Sequence, residues 1–149
     1  ADEEEDKADS TLGLGGYHGS VQAGGDTVYF AVGVFSEILP DGTSNGIPVF
    51  AEPWKNVVAT FYHELCEART DPDVERANQT GDSSLLGWVS NAGEEIGDFA
   101  LNGRVPLTDV IREVPLTNGG GTVPIQFEFS NFSHSPEGPT SQPRPPVAA

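Results

Sequence analysis

His63, Glu64 and Glu67 stand within five residues of one another in the segment Tyr62-His63-Glu64-Leu65-Cys66-Glu67, and their types and spacing suit metal chemistry. On a helix, positions i and i+4 lie one turn apart on the same side. An imidazole nitrogen of His63 and a carboxylate oxygen of Glu67 could therefore hold one divalent ion between them. Glu64 falls about 100° around such a helix, beside the ion, where a carboxylate can take a proton from a water. A site of this kind needs a third protein ligand and an open position for water. The acidic, glycine-bearing turn Gly93-Glu94-Glu95-Ile96-Gly97-Asp98 follows about thirty residues on and offers Asp98 or Glu94. Cys66 would be a further ligand as a thiolate, but a lone helical cysteine is ordinarily a small core residue, and Cys66 reads as core.

The motif needs a helix, and the sequence supplies one over residues 54–69, free of Gly and Pro, with Pro53 suited to its first turn. Val57, Val58, Phe61, Leu65 and Ala68 recur at spacings of three and four, which predicts one buried apolar stripe. Thr70-Asp71-Pro72 ends the helix, because the residue before proline is pushed out of the α region. Around it, Tyr17-His18 lie among glycines in a flexible loop. Residues 27–35 read as a strand buried on both faces, and residues 47–50 as a short extended piece. A polar loop runs to Ser84, and residues 85–89 read as a short strand. Residues 122–129 alternate apolar and polar, as a strand does, with Pro124 marking an edge or bulge. The loop Asp71-Pro72-Asp73-Val74-Glu75, with Asn78 and Asp82, could bind calcium through oxygen, although Arg76 occupies the position where an EF-hand loop requires glycine, and helix termination explains most of that segment.

The chain has 149 residues, the size of one domain, with 23 acidic and 7 basic side chains and a net charge of -16. So acidic a surface excludes nucleic acid as a partner, since phosphate binding needs clustered Lys and Arg. No apolar run is long enough for a membrane span. Residues 1–10 read as an acidic disordered tail, residues 139–149 as a Pro-rich extended tail, and 11–138 as the folded domain. The single cysteine allows no intrachain disulfide. The chain starts at Ala1 and contains no Met, as expected of a mature product, a trimmed chain or a piece of a longer precursor.

Phe61-Tyr62-His63-Glu64-Leu65-Cys66-Glu67-Ala68-Arg69-Thr70-Asp71-Pro72-Asp73, then Gly87-Trp88, then Gly93-Glu94-Glu95-Ile96-Gly97-Asp98, resemble the helix, "GW" and "GEIGD" turn of a group of secreted zincin-like proteins related to the exordium-like (phosphate-induced) family. A weaker likeness runs from Gln126 to Pro139. The resemblance implies an α+β, loop-rich fold, with a mixed or antiparallel sheet packed on one long metal-site helix. It implies zinc on His63, Glu67 and Asp98, Glu64 as general base toward water activated on the ion, and an extracellular location. The oxyanion of the intermediate would need one further donor. His134, His18, Tyr17 and Tyr62 are the candidates, with His134 foremost. Two departures stand out. Glu67 occupies the place of the second histidine of His-Glu-x-x-His, which lessens the charge left on the ion. The likeness also implies a longer domain, so a partner chain or preceding strands would complete the core. The expected substrate is a peptide. The competing readings are a non-catalytic extracellular module that binds a wall polymer, carbohydrate or protein and keeps the ion for stability, and a processed subunit of a larger assembly.

Overall fold

The computed structural model describes residues 10, 13–38, 40–102 and 105–139, so the acidic tail before Ser10 and the Pro-rich tail after Pro139 lie outside the described residues. In chain order the elements are β1 (Gly16–Ala23), β2 (Asp26–Gly33), α1 (Pro53–Thr70), α2 (Val74–Thr80), α3 (Ile96–Leu101), α4 (Leu107–Val110), β3 (Ile111–Pro115), β4 (Thr122–Gln126), β5 (Glu128–Ser130) and β6 (Ser135–Glu137). The architecture is α+β. Among the described residues, three separate antiparallel ribbons, β1–β2, β3–β4 and β5–β6, stand in place of one sheet.

The helix α1 is the element on which β1, β2, β4 and α3 pack. It starts at Pro53 and stops at Asp71, whose backbone N–H donates to Glu67 O at 2.6 Å, as the sequence leads one to expect. Its buried face does not follow the expectation. The buried residues are Asn56, Ala59, Thr60, His63, Glu64 and Glu67, whereas Phe61 and Leu65 of the expected stripe are each 42% exposed. The polar face goes inward because each side chain on it has a partner. Asn56 Oδ1 accepts from the N–H groups of Val49 and Phe50 at 3.1 and 2.8 Å, and its Nδ2 donates to Phe50 O at 2.9 Å. Thr60 Oγ1 accepts from Ile47 N–H at 3.2 Å. Residues 47–50 are therefore irregular backbone pinned by side chains, and not a strand.

The β1–β2 ribbon corrects two further expectations. The glycine-rich stretch around His18 is a strand, closed onto β2 through Gly24-Gly25 with φ of +61° and +97°, the left-handed values that a two-residue hairpin turn requires. With a single partner strand, β2 is not buried on both faces; Val28 and Tyr29 are 47% and 48% exposed. The expected strand over 122–129 is interrupted at Phe127, between β4 and β5, although the Phe127 N–H still donates to Val110 O at 2.7 Å in the β3–β4 register. Of the strand expected over residues 85–89 there is only an isolated bridge between Val89 and Glu95, after a 3₁₀ turn at Ser83–Leu85, and the polar loop encloses α2, capped by Asp73 accepting from Arg76 N–H at 2.9 Å. Nothing in the sequence reading anticipated α4 or β3.

The apolar core is small: Ile47, Ala59, Ala100, Val110 and Ile111, bordered by Val49, Phe50 and Leu107. A second cluster stacks Trp88, Phe99 and Phe129 with centroids 4.7–5.4 Å apart. Between these clusters the end of α1 is held by Asp71, fully buried, whose Oδ1 accepts from Gly87 N–H at 2.7 Å. Gly87 lies so close that a Cβ there would sit 2.0 Å from Thr70 O. Gly87→Ala should therefore destabilise the fold by about 1–3 kcal/mol, the range for overpacking, read as a lower midpoint in urea; an unchanged midpoint would contradict this close packing.

Candidate metal centre

Three of the residues singled out in the sequence meet at one end of a cleft of about 620 Å³. His63 Nε2 lies 3.1 Å from Glu67 Oε2 and 3.5 Å from Asp98 Oδ1, and the ligand atoms of the three residues lie within 4.8 Å of one another. The geometry is built from two directions. Helix α1 sets His63 and Glu67 one turn apart. The first turn of α3 is pressed against them at Gly97, where a Cβ would fall 2.5 Å from His63 Nδ1 and 2.7 Å from Glu67 Oε1. The same turn brings in Asp98, whose backbone N–H donates to Glu67 Oε1 at 3.1 Å.

The opposite nitrogen of His63 is held by Gln126, a fully buried residue of β4. Nδ1 and Gln126 Oε1 are 3.0 Å apart, and the amide Nε2 donates to Gly97 O at 2.7 Å. Because that Nε2 donates, Oε1 is the acceptor, so His63 Nδ1 carries the proton. Its Nε2 is then left facing carboxylates, the orientation a metal-binding imidazole takes from its outer partners.

A second histidine has the same construction. His18, on β1, directs Nδ1 at Glu64 Oε2 (3.2 Å) and at Glu67 Oε2 (3.9 Å). Its Nε2 faces the Asp71 carbonyl at 3.0 Å and Glu95 Oε1 at 3.3 Å. Every neighbour of both nitrogens is an acceptor, so the ring carries both protons when no cation replaces one. β1 comes this close through Gly16, where a Cβ would meet Glu64 Cγ at 2.7 Å. His18, Glu64 and Glu67 also bring ligand atoms within 4.8 Å of one another.

The electrostatics follow from this crowding. Burial disfavours a charged His18, but Glu64 and Glu95 outweigh it and raise its pKa to about 10. At His63 burial again opposes, and Glu67 prevails, raising it to about 9. Desolvation lifts Glu128 to about 7, with Glu67 adding to the shift. Partial burial and then Glu67 raise Asp98 to about 6, although its side chain is 55% exposed and solvent screens part of that shift. Burial and Glu128 push the Cys66 thiol to about 11, and Cys66 belongs to neither group of converging ligand atoms. Cys66 sits half-buried beside Tyr62 and Glu128, not in the apolar core.

The other sequence candidates go elsewhere. His134 is exposed on the turn between β5 and β6, with φ of +50°, and does not line the cleft. Tyr17 lines it, with its ring against Phe30, whereas Tyr62 does not. Glu94 bonds Ser90 and Asn102 and faces a different hollow. In the segment considered for calcium, Asp73 and Asp82 serve as helix caps and Asp71 holds Gly87. Sequence reasoning missed Gln126 and Glu95, and weighed His18 only as an oxyanion donor. The signal for His18 was the alternation of Gly16, His18, Ser20 and Gln22, which places alternate side chains on one face once the segment is a strand.

The donor set fits a divalent cation. Two imidazoles are locked from behind, and the carboxylates of Glu64, Glu67, Glu95 and Asp98 converge in the cleft with Arg76 as the only Lys or Arg among its lining residues. No protein-family model, curated protein or solved structure matches the chain. Among the described residues no helix is long and apolar enough to cross a membrane.

Two outcomes are expected. Gln126→Leu should weaken cation binding at His63 by ~10–100-fold, the usual cost of removing an outer partner, measured by competition with a chromophoric chelator; unchanged affinity would remove Gln126 from the site. For chelator-treated protein, His18, His63 and Glu128 all hold protons more tightly folded than unfolded. Their contribution is complete at low pH and is lost as pH rises through about 7 for Glu128, about 9 for His63 and about 10 for His18. The lowered carboxyls of Asp41, Glu52, Asp82 and Glu113 act in the opposite sense, in the acid range below that window. The thermal midpoint should fall on going from weakly acidic to alkaline pH, and zinc should restore it at the alkaline end. A midpoint that climbs through that range would contradict the assigned protonation.

Proposed function

We propose that this chain is a metal-dependent hydrolase of the zincin type, secreted and acting on peptide bonds, with zinc as its cation. The observation that carries this reading is the convergence of His63, Glu67 and Asp98 at one end of an open cleft, with Glu64 one residue along the same helix. His63 Nε2, Glu67 and Asp98 would hold the ion, which when bound acidifies a water and polarises the scissile carbonyl.

The remaining chemistry belongs to side chains of this chain. Glu64 accepts the proton of the attacking water and returns it to the leaving amine. His18, 3.2 Å away, fixes the direction of the Glu64 carboxylate and sets a positive charge at the edge of the reaction space. It takes the place that the sequence reading gave to His134. Gln126 fixes the His63 ring. Arg76, on the cleft wall, suits a carboxylate of the substrate. The two anionic ligands, Glu67 and Asp98, leave the ion less electrophilic than histidines would, so turnover is modest.

His63→Ala should remove the zinc of the His63, Glu67 and Asp98 site, read by elemental analysis as a loss of one ion per chain relative to wild type. Glu64→Gln should keep the fold and the His63-bound ion while lowering peptide turnover by ~10²–10⁴-fold, the contribution of a general base. A well-folded wild type without zinc would overturn the reading. Zinc present with turnover unchanged in Glu64→Gln would turn it into a non-catalytic metal-stabilised module.

A further inference from the structure

We infer that the centre holds a second divalent cation, on His18 Nδ1, Glu64 and Glu67, with the Glu67 carboxylate shared between the two ions. This rests on the reading of His63, Glu67 and Asp98 as the first site. It assigns His18 and Glu64 a second role, as ligands whose occupation regulates the first.

Three observations carry it. The first is the position of Glu67. Oε1 is committed to the Asp98 N–H, and Oε2 alone faces both histidines, 3.1 Å from His63 Nε2 and 3.9 Å from His18 Nδ1. The Glu67 side chain is 3% exposed, so this oxygen is turned to the two imidazoles and not to solvent.

The second is the matched construction of the two rings. Each histidine has one nitrogen held by a carbonyl acceptor, that of Gln126 for His63 and that of Asp71, with Glu95 Oε1 beside it, for His18, and the other nitrogen against the carboxylates of the proposed sites. An imidazole that serves only as a hydrogen-bond donor to Glu64 needs no such anchor. An imidazole ligand does, because the anchor fixes the tautomer that frees its other nitrogen. The His18 side chain is 8% exposed and that of Glu64 10%, so both are held in place as ligands are.

The third is charge. Glu64, Glu67, Glu95 and Asp98 converge here, with His63 and His18 between them. One divalent ion on neutral His63, with His18 carrying both protons, still leaves one of the four negative charges unbalanced. A second ion, replacing the His18 Nδ1 proton, brings the set to balance. That proton lies between His18 and Glu64, where the ion would enter.

The second ion takes the Glu64 carboxylate out of service as a base. Free divalent cation, above the level that fills the first site, therefore turns the enzyme down.

The test is equilibrium dialysis of the full chain, first stripped with chelator, against increasing zinc, with bound zinc counted per chain. His18→Ala, His18→Gln and His63→Ala are run beside wild type, and circular dichroism verifies each fold. Wild type should take up two ions in separate steps. Both His18 variants should keep the first and lose the second. Two variants guard against a folding defect, since Gln retains a donor toward the Asp71 carbonyl. One ion per chain, lost in His63→Ala and untouched in His18→Gln, would overturn the second site and leave the hydrolase reading standing. One ion lost equally in both would mean a single ion shared by the two histidines, which also overturns it. No ion in folded wild type would remove both.

Discussion

Burying ionisable side chains along one face of a helix is costly unless each finds a partner; the buried side chains of α1 meet that condition, and only at the cap does Asp71 leave an oxygen, Oδ2, without one. Asn56 and Thr60 take up the backbone of residues 47–50. His63, Glu64 and Glu67 meet each other and His18, and Asp71, at the cap, holds Gly87. Desolvation opposes every one of these charges. The pairing is electrostatically dense enough to invert the usual effect, leaving two buried imidazoles more basic than free histidine. The small apolar core and the three ribbons are arranged around this face.

The dependence runs outward from α1. Gly16 and Gly97 are the points at which β1 and α3 approach most closely, and both face site side chains. The absence of a Cβ at each therefore sets the width of the centre. The ribbons supply what the helix lacks, with His18 from β1 and Gln126 from β4. Neither ribbon would be stable by itself in water, and each is ordered by what it gives to α1.

The sequence made the helix legible because Pro53 and Asp71-Pro72 are local signals, and i to i+4 spacing is a local property. The acidic turn with glycine offered Asp98 or Glu94, and only the family resemblance singled out Asp98. The sequence did not reveal the inward face. Amphipathic reasoning assumes that apolar residues go inside, and here Phe61 and Leu65 lie partly in solvent while Glu67 is buried. His18 meets Glu64 across 46 residues and Gln126 meets His63 across 63; contacts of that span leave no periodicity to read. The glycines around His18 suggested a loop, although in a strand beside a crowded helix they serve close approach. The division of residues 122–129 between two ribbons, at Phe127, is likewise not encoded in composition.

The two histidines differ in what carries them. His63 is part of an 18-residue helix, whereas His18 belongs to a two-stranded ribbon closed by two glycines. A ribbon of that kind opens locally at lower free energy than the helix core unfolds. Opening draws His18 away from Glu64 while His63, Glu67 and Gln126 stay together. The centre therefore has a fixed half and a hinged half, and exchange of anything lodged between them is timed by the breathing of the ribbon.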